Sequence, residues 1–170
     1  MNYEFCSHIP LLAGAITITS GPVLELGAGY GSTLLLHGLC GSLKRSLTTI
    51  ESDKEWLLKF LNYGRTWHNF RQVDSFIDLP EYSQKWGLVF VDHGIGEQRG
   101  HSVRMLKDAD LLVVHDTCYS HIYHYEPILS EFKYRWDWKI DGRYMAEYFP
   151  RTTAVSNTIN VAKEFARMCL

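Results

Sequence analysis

Residues 22–33 read PVLELGAGYGST. Val23–Leu26 is a short apolar run of the kind that forms a strand, and Gly27, Gly29 and Gly31 follow it at every second position. Ser32 or Thr33 then offers a cap for a helix over residues 33–40. A strand, a glycine loop and a helix N-terminus bring backbone close to a ligand. The register of the glycines decides which ligand. A phosphate-binding P-loop carries a lysine after its glycines, and none follows here. A nicotinamide or flavin dinucleotide loop needs its third glycine at residue 32, which is serine. Glu25, two residues before the first glycine, also places a charge that opposes a pyrophosphate.

The strand–helix alternation continues downstream. Residues 47–50 read as a second strand ending at Glu51, and Ser52 or Asp53 caps a helix with Trp56, Leu57, Phe60 and Leu61 at helical spacing. Residues 67–73 form a third strand ending at Asp74. Residues 87–91 (GLVFV) and 111–114 (LLVV) are uninterrupted apolar runs, the pattern of strands buried on both faces, with a helix over 98–107 between them. A helix over 121–132 leads into an aromatic, alternating segment at 134–140, a hairpin-type Asp141-Gly142, a strand at 152–156 and a closing helix at 159–168. The prediction is an α/β fold in a single domain spanning 1–170. It has a doubly wound, seven-stranded, mostly parallel sheet, helices on both faces and an antiparallel C-terminal hairpin.

Carboxylates recur at the C-terminal ends of the predicted strands: Glu25, Glu51, Asp74, Asp92 and Asp116. Ligands of open α/β sheets bind outside those ends, where strand order reverses. One such acid is a helix cap; five in succession point to a site.

Glu25-Leu26-Gly27-Ala28-Gly29-Tyr30-Gly31 has the form E-x-G-x-G-x-G. It resembles the first motif of the class I S-adenosylmethionine-dependent methyltransferases, with a Rossmann-like fold, and the likeness extends over residues 22–117. The resemblance implies S-adenosylmethionine as cofactor. Glu25 would stabilise its ammonium, often through water, and Gly27, Ala28, Gly29, Tyr30 and Gly31 would line its amino-acid end. The helix N-terminus at Ser32 would meet its carboxylate. Glu51, beside Ser52, would accept from the ribose hydroxyls. Asp74, Ser75 and Phe76 would contact adenine, Asp74 accepting from its amino group and Phe76 stacking. Asp92 would lie near the transferred methyl.

The acceptor side falls to residues 91–99 and 114–118, which supply Asp92, His93, His115 and Asp116 as candidate catalytic groups. The pattern has some resemblance to catechol-type O-methyltransferases, which implies a magnesium ion on Asp92 and Asp116 that activates a hydroxyl. Thr117 stands where that pattern has asparagine, and Ile95 where it has a lysine base. A metal-free site is the alternative, with His93 or His115 as general base, oriented by Asp92 or Asp116. A looser likeness to small methyltransferase-like proteins with DHG, arginine and HDT segments gives Arg99 a substrate carboxylate or phosphate to bind. His121 and His124 can share a helix face near Cys118, without a complete zinc spacing, and His8 stands either in the pocket or in an exposed loop. The aromatic residues from Tyr119 to Phe149 are read first as packing and second as a pocket for a flat substrate.

Composition sets the remaining bounds. The chain has 170 residues, 46% of them apolar, and a net charge of −2, which gives no general electrostatic case for nucleic acid or an anionic membrane. Lys133, Arg135, Lys139, Arg143 and Arg151 read as a solvated face. Cys6, Cys40, Cys118 and Cys169 form no disulfide framework, and neither a signal peptide nor a membrane span is evident, so a cytoplasmic location is expected. The leading expectation is methylation of an oxygen on a small molecule. The alternatives are a silent cofactor-binding scaffold of the same fold, or an enzyme that cleaves S-adenosylmethionine itself.

Overall fold

The structure, a computed structural model, describes residues 7–138 and 152–168. Its strands are β1 (Val23–Leu26), β2 (Leu47–Glu51), β3 (His68–Gln72), β4 (Leu88–Val91), β5 (Leu111–Val114), β6 (Tyr134–Trp138) and β7 (Thr152–Ser156). They form one seven-stranded sheet in the order β3-β2-β1-β4-β5-β7-β6. β1 to β5 are mutually parallel, while β7 lies antiparallel between β5 and β6. The doubly wound sheet with an antiparallel end is therefore as the sequence predicts. The connection from β6 to β7, with the turn expected at Asp141-Gly142 and with Tyr144, Tyr148, Phe149, Lys139, Arg143 and Arg151, lies outside the described residues, as do Cys6 and Cys169.

Side chains of a strand alternate between the faces of a sheet, and that alternation sorts the core into two layers. Leu24, Leu26, Val89, Val91, Leu112 and Val114 point to face one. Val23, Leu47, Leu88, Phe90, Leu111 and Val113 point to face two. Face one is covered by Val103 of helix α4 (Arg99–Met105) and by Phe76, Leu79, Trp86, Tyr125 and Leu129 from the connections. Face two is covered by α1 (Ile9–Thr17), α2 (Ser32–Leu43) and α6 (Val161–Arg167) through Leu12, Ile16, Leu36, Cys40 and Phe165. The central strands β1, β4 and β5 are buried along their whole length, which is why their sequences, Glu25 apart, are apolar on both alternating positions.

Two elements depart from expectation. α1 precedes β1, begins at a proline in its first turn and carries a mostly apolar face. The predicted helix over 121–132 is reduced to α5 (Ser120–Tyr123) and a short 3-10 turn at Ile128–Glu131. His124 ends α5 in a left-handed conformation, and Pro127 disfavours helix at the residue before it. His121 and His124 consequently do not share a helix face. α3 (Lys54–Leu58) is also short, but is capped by Asp53 as predicted. Beneath the sheet, Arg45 closes the end of α1 by donating to the carbonyls of Ile16, Thr19, Ser20 and Gly21 at 2.6–3.2 Å. Among the described cysteines, Cys40 is buried, Cys118 is exposed and both are free thiols.

Leu112→Ala removes a fully buried side chain from a central strand and should cost about 2–5 kcal/mol. Leu58→Ala, at a side chain 49% exposed, should change stability by no more than about 0.5 kcal/mol. Urea unfolding of both variants checks the assignment of core and surface.

Candidate active site

Strand order reverses between β1 and β4, and the loops that follow these strands touch. Gly27 has φ +97°, and a Cβ there would lie 2.5 Å from the Asp92 carbonyl oxygen and 2.6 Å from the His93 Cα. Only glycine fits, both for its dihedral and for its neighbours. Gly31 sits at the start of α2 in an ordinary helical conformation, so its dihedrals do not require glycine. Three side chains hold the loop. Glu51 accepts from the Ala28 N–H at 2.8 Å, the Trp56 indole donates to the Ala28 carbonyl at 2.7 Å, and Thr33 accepts from the Gly29 N–H at 2.9 Å. Tyr30 is exposed and leans on Trp56 and Phe60. Thr33 and Trp56 had only helical roles in the sequence reading.

Glu25 is fully buried on face two. Its carboxylate accepts from the Thr33 hydroxyl at 3.0 Å and from the Thr49 hydroxyl at 2.7 Å, so it holds the glycine loop through Thr33. A chain of ring nitrogens continues outward. Thr49 Oγ1 lies 3.0 Å from His68 Nε2, and His68 Nδ1 lies 3.0 Å from His37 Nδ1. With Thr49 donating to Glu25, the proton order assigned by the network is His37 Nδ1–H to His68 Nδ1, and His68 Nε2–H to Thr49. Burial pushes the Glu25 carboxyl up to about 7, against the pull of hydrogen bonds from Ser32, Thr49 and Thr33.

Glu51, by contrast, ends β2 at the sheet edge with its Oε1 accepting from the Ser52 and Asp53 N–H groups at 2.6 and 2.9 Å. Oε1 also accepts from the Ser52 hydroxyl at 3.2 Å and is fully engaged, whereas Oε2 accepts only from the Ala28 N–H, so of about four lone-pair sites one on Oε2 remains. Asp74 and Ser75 are exposed beyond β3, and Asp74 accepts from the Gln72 amide at 3.1 Å. The Phe76 ring has no exposed face. It is fully buried and stacked on His93 with centroids 3.8 Å apart. The expected adenine stacking is thus not offered by Phe76, whose backbone N–H donates instead to Gln98 Oε1 at 2.7 Å. Gln98, at the entry to α4, was not foreseen.

At the ends of β4 and β5 the alternation of faces separates the two histidines. His93 continues the face-one series, is fully buried and meets Ser102 of α4 at 3.1 Å. Burial, with Arg99 adding to it, drives its pKa down to about 3. It forms wall, and its predicted role as a base open to an acceptor does not fit this burial. His115 continues the face-two series toward α1. Its Nδ1 lies 3.1 Å from Asp92 Oδ1 and its Nε2 3.0 Å from Ser7 Oγ. Burial pulls the His115 pKa down, but Asp92 and Asp116 more than offset it, leaving it above the usual value. His8 stands beside it with ring centroids 4.8 Å apart, buried rather than in an exposed loop.

Arg99 ties this region together. It is buried, and donates to the His93 carbonyl at 2.7 Å, to Asp92 Oδ1 at 3.0 Å and to Asp116 Oδ2 at 3.1 Å, with Tyr123 stacked over its guanidinium. Asp116 adopts a left-handed conformation, φ +57°, that turns its carboxylate to Arg99. The predicted free arginine for a substrate anion is therefore already paired, and the space between Asp92 and Asp116, predicted for magnesium, holds a guanidinium. Burial opposes the Asp92 charge, yet His115, Arg99 and His8 more than offset it and hold its pKa below the usual carboxylate range. Of the aromatic set, Tyr125 is fully buried, donating to the His115 carbonyl, and Trp136 and Trp138 pack against the face-two core. Arg135 is paired with Glu126 and Asp137.

No protein-family model matches the sequence. No curated protein matches it either. Solved structures do match. Cofactor-bound Rv0187 from MTB aligns at a TM-score of 0.60 with 16% identity, over 94% of this chain and 82% of that one. Human methyltransferase-like protein 13 in complex with SAH aligns at 0.59 with 12% identity, over 95% and 91%. The N-methyltransferase NodS from Bradyrhizobium japonicum WM9 aligns at 0.56 with 14% identity, over 92% and 96%. The chain has the Rossmann-like fold of the class I methyltransferases. Among the described residues, no helix is long and apolar enough to cross a membrane.

Two measurements test this geometry. Between the ordinary glutamate value of 4.5 and about 7, the folded chain keeps a proton on Glu25 that the unfolded chain has lost. Stability should therefore fall as pH rises through that window, by roughly 3 kcal/mol. Glu25→Gln should flatten the dependence in urea unfolding at pH 5 and 7.5; an unchanged slope would count against the burial. Arg99→Met leaves Asp92 and Asp116 without their cation and should cost about 3–5 kcal/mol, read from the same unfolding experiment.

Proposed function

We propose that the chain is an S-adenosylmethionine-dependent methyltransferase that methylates an oxygen on a small molecule. The observation that carries the reading is the seam at Gly27, where the missing side chain lets the loop after β1 lie against the backbone of Asp92 and His93. A cofactor held by the first loop thereby reaches the groups of the second. The fit extends to other residues. The uncovered backbone of Gly29 and Gly31 and the N-terminus of the twelve-residue α2 suit the amino-acid end and its carboxylate. Ala28 and Tyr30 flank that stretch, Ser32 opens the helix, and Glu25 sets the local charge from behind the loop. Glu51 Oε2 would accept from a ribose hydroxyl beside Ser52, and Asp74 and Ser75, both exposed, would meet the base.

The cofactor supplies an electrophilic methyl group. The chain's own part is to bind and orient the acceptor and to take its proton. Asp92 and His115 form a hydrogen-bonded acid–imidazole pair, with Ser7 on the far nitrogen fixing the ring. Asp116 Oδ1 approaches the same ring nitrogen at 3.4 Å, while its Oδ2 balances Arg99. An acid–imidazole pair suits a hydroxyl acceptor, since it can accept the proton that an oxygen nucleophile must lose. The net charge of −2, and the absence of an unpaired basic cluster among the described residues of the site, favour a small molecule over nucleic acid.

Calorimetric titration with S-adenosylhomocysteine should show saturable one-to-one binding, abolished in Gly27→Ala and weakened at least tenfold, about 1.4 kcal/mol, in Glu51→Ala. No heat at millimolar ligand with folded protein would sink the proposal. Asp116→Ala should keep that binding and lose methyl transfer by roughly 100-fold or more, scored with labelled cofactor and a panel of phenols and carboxylic acids. Cleavage of the cofactor without any acceptor would replace the transfer reading.

A further inference from the structure

Besides the acid–imidazole pair, the ends of β4 and β5 gather a third side chain whose presence the methyltransferase reading does not require. His8 lies just before α1, Asp92 just after β4 and His115 just after β5, and one potential ligand atom from each lies within 4.8 Å of the other two. Among the described residues no other group of histidine, cysteine and acidic side chains comes together in this way. Cys118, His121 and His124, close in sequence, are exposed and are not part of such a group.

His8 provides the independent observation. Its ring is 2% exposed, and neither Nδ1 nor Nε2 has a hydrogen-bond partner among the described residues. A buried imidazole with both nitrogens unused is costly unless something fills the vacant bonds. We propose that His8, Asp92 and His115 bind a divalent transition-metal ion of the zinc class through one ring nitrogen of each histidine and a carboxylate oxygen of Asp92.

The distances suit such an ion. Zinc bonds to nitrogen and oxygen are about 2.0–2.1 Å, so neighbouring tetrahedral ligands stand roughly 3.3 Å apart. His115 Nδ1 and Asp92 Oδ1 are 3.1 Å apart. His8 has no hydrogen bond to give up in closing the remaining distance. The surroundings are those of a supported site. Ser7 Oγ sits 3.0 Å from His115 Nε2, which fixes Nδ1 as the ligating nitrogen, and Arg99 holds Asp92 from outside at 3.0 Å. Charge agrees as well: with both imidazoles neutral, Asp92, Asp116 and Arg99 sum to one negative charge facing the ion. Two imidazoles and one carboxylate favour zinc, cobalt, nickel or iron over magnesium, which prefers an all-oxygen shell. The donor set thus differs from the Asp92–Asp116 pair predicted for magnesium. Three protein ligands leave one position open. The use of that position rests on the methyltransferase reading, whereas the binding of the ion does not.

The full chain, stripped with chelator, is titrated with Co2+ and then with Zn2+. One equivalent of Co2+ should give the intense visible bands of a four-coordinate site, Zn2+ should displace it, and millimolar Mg2+ should not. His8→Ala and the shape-conserving His8→Gln should each weaken Co2+ binding by at least 10–100-fold, while the double variant His121→Ala, His124→Ala leaves it unchanged. Thermal melting establishes that each variant is folded, and should His8→Ala fail to fold, His8→Gln carries the comparison. No stoichiometric cobalt spectrum, or a spectrum indifferent to both His8 variants, overturns the site. S-adenosylhomocysteine titration of the same samples keeps the readings apart. Cofactor binding without a cobalt spectrum removes the metal site alone, and a cobalt spectrum without cofactor binding removes the methyltransferase alone.

Discussion

A guanidinium group buried between two carboxylates organises the ends of β4 and β5. Arg99 bridges Asp92 and Asp116 from the first turn of α4 and also donates to the backbone of His93. The ends of β4 and β5 are thereby held to one helix, and Asp92 is left with a fixed direction toward His115. Buried ion pairs repay little of their desolvation in stability. Their effect here is geometric, because a carboxylate shared between a planar donor and an imidazole has few alternative positions. The same cation explains why the Asp92–Asp116 pair does not present an open oxygen cradle.

Much of this was legible in the sequence. The apolar runs at β4 and β5 follow from local rules, and the sheet bears them out. What local rules miss is which face each side chain takes after a strand ends. His93 and His115 both follow apolar strands and look equivalent in a linear reading. They diverge because each continues the alternation of its own strand, His93 into the face-one core against Phe76 and His115 toward α1. Extending the parity by two residues would have separated them. Thr33, Gln98 and Trp56 were harder to find, since their contacts join segments distant in sequence and nothing in their spacing marks them. Arg99 looked available because exposure is not written in composition, and its two partners are acids already given other work.

Two buried polar systems lie on face two. One runs from Glu25 through Thr49 and His68 to His37, and the other joins Asp92, His115 and Ser7 beside His8. Low dielectric strengthens each bond and makes each unmade bond expensive, so the helices over this face are set by polar matching as well as by apolar packing. Burial drives His68 down to about 4, with His37 adding to it, so the first chain passes through neutral rings.

The absent methyl at Gly27 acts as a spacer of zero width. The loops after β1 and β4 are in direct backbone contact because one atom is missing between them. Any side chain at that position would act as a wedge between the two loops. Were a methyl group to pass across this seam, its transfer would depend steeply on the separation of the reacting atoms. The tolerance of the seam is therefore decided at a residue that carries no functional group.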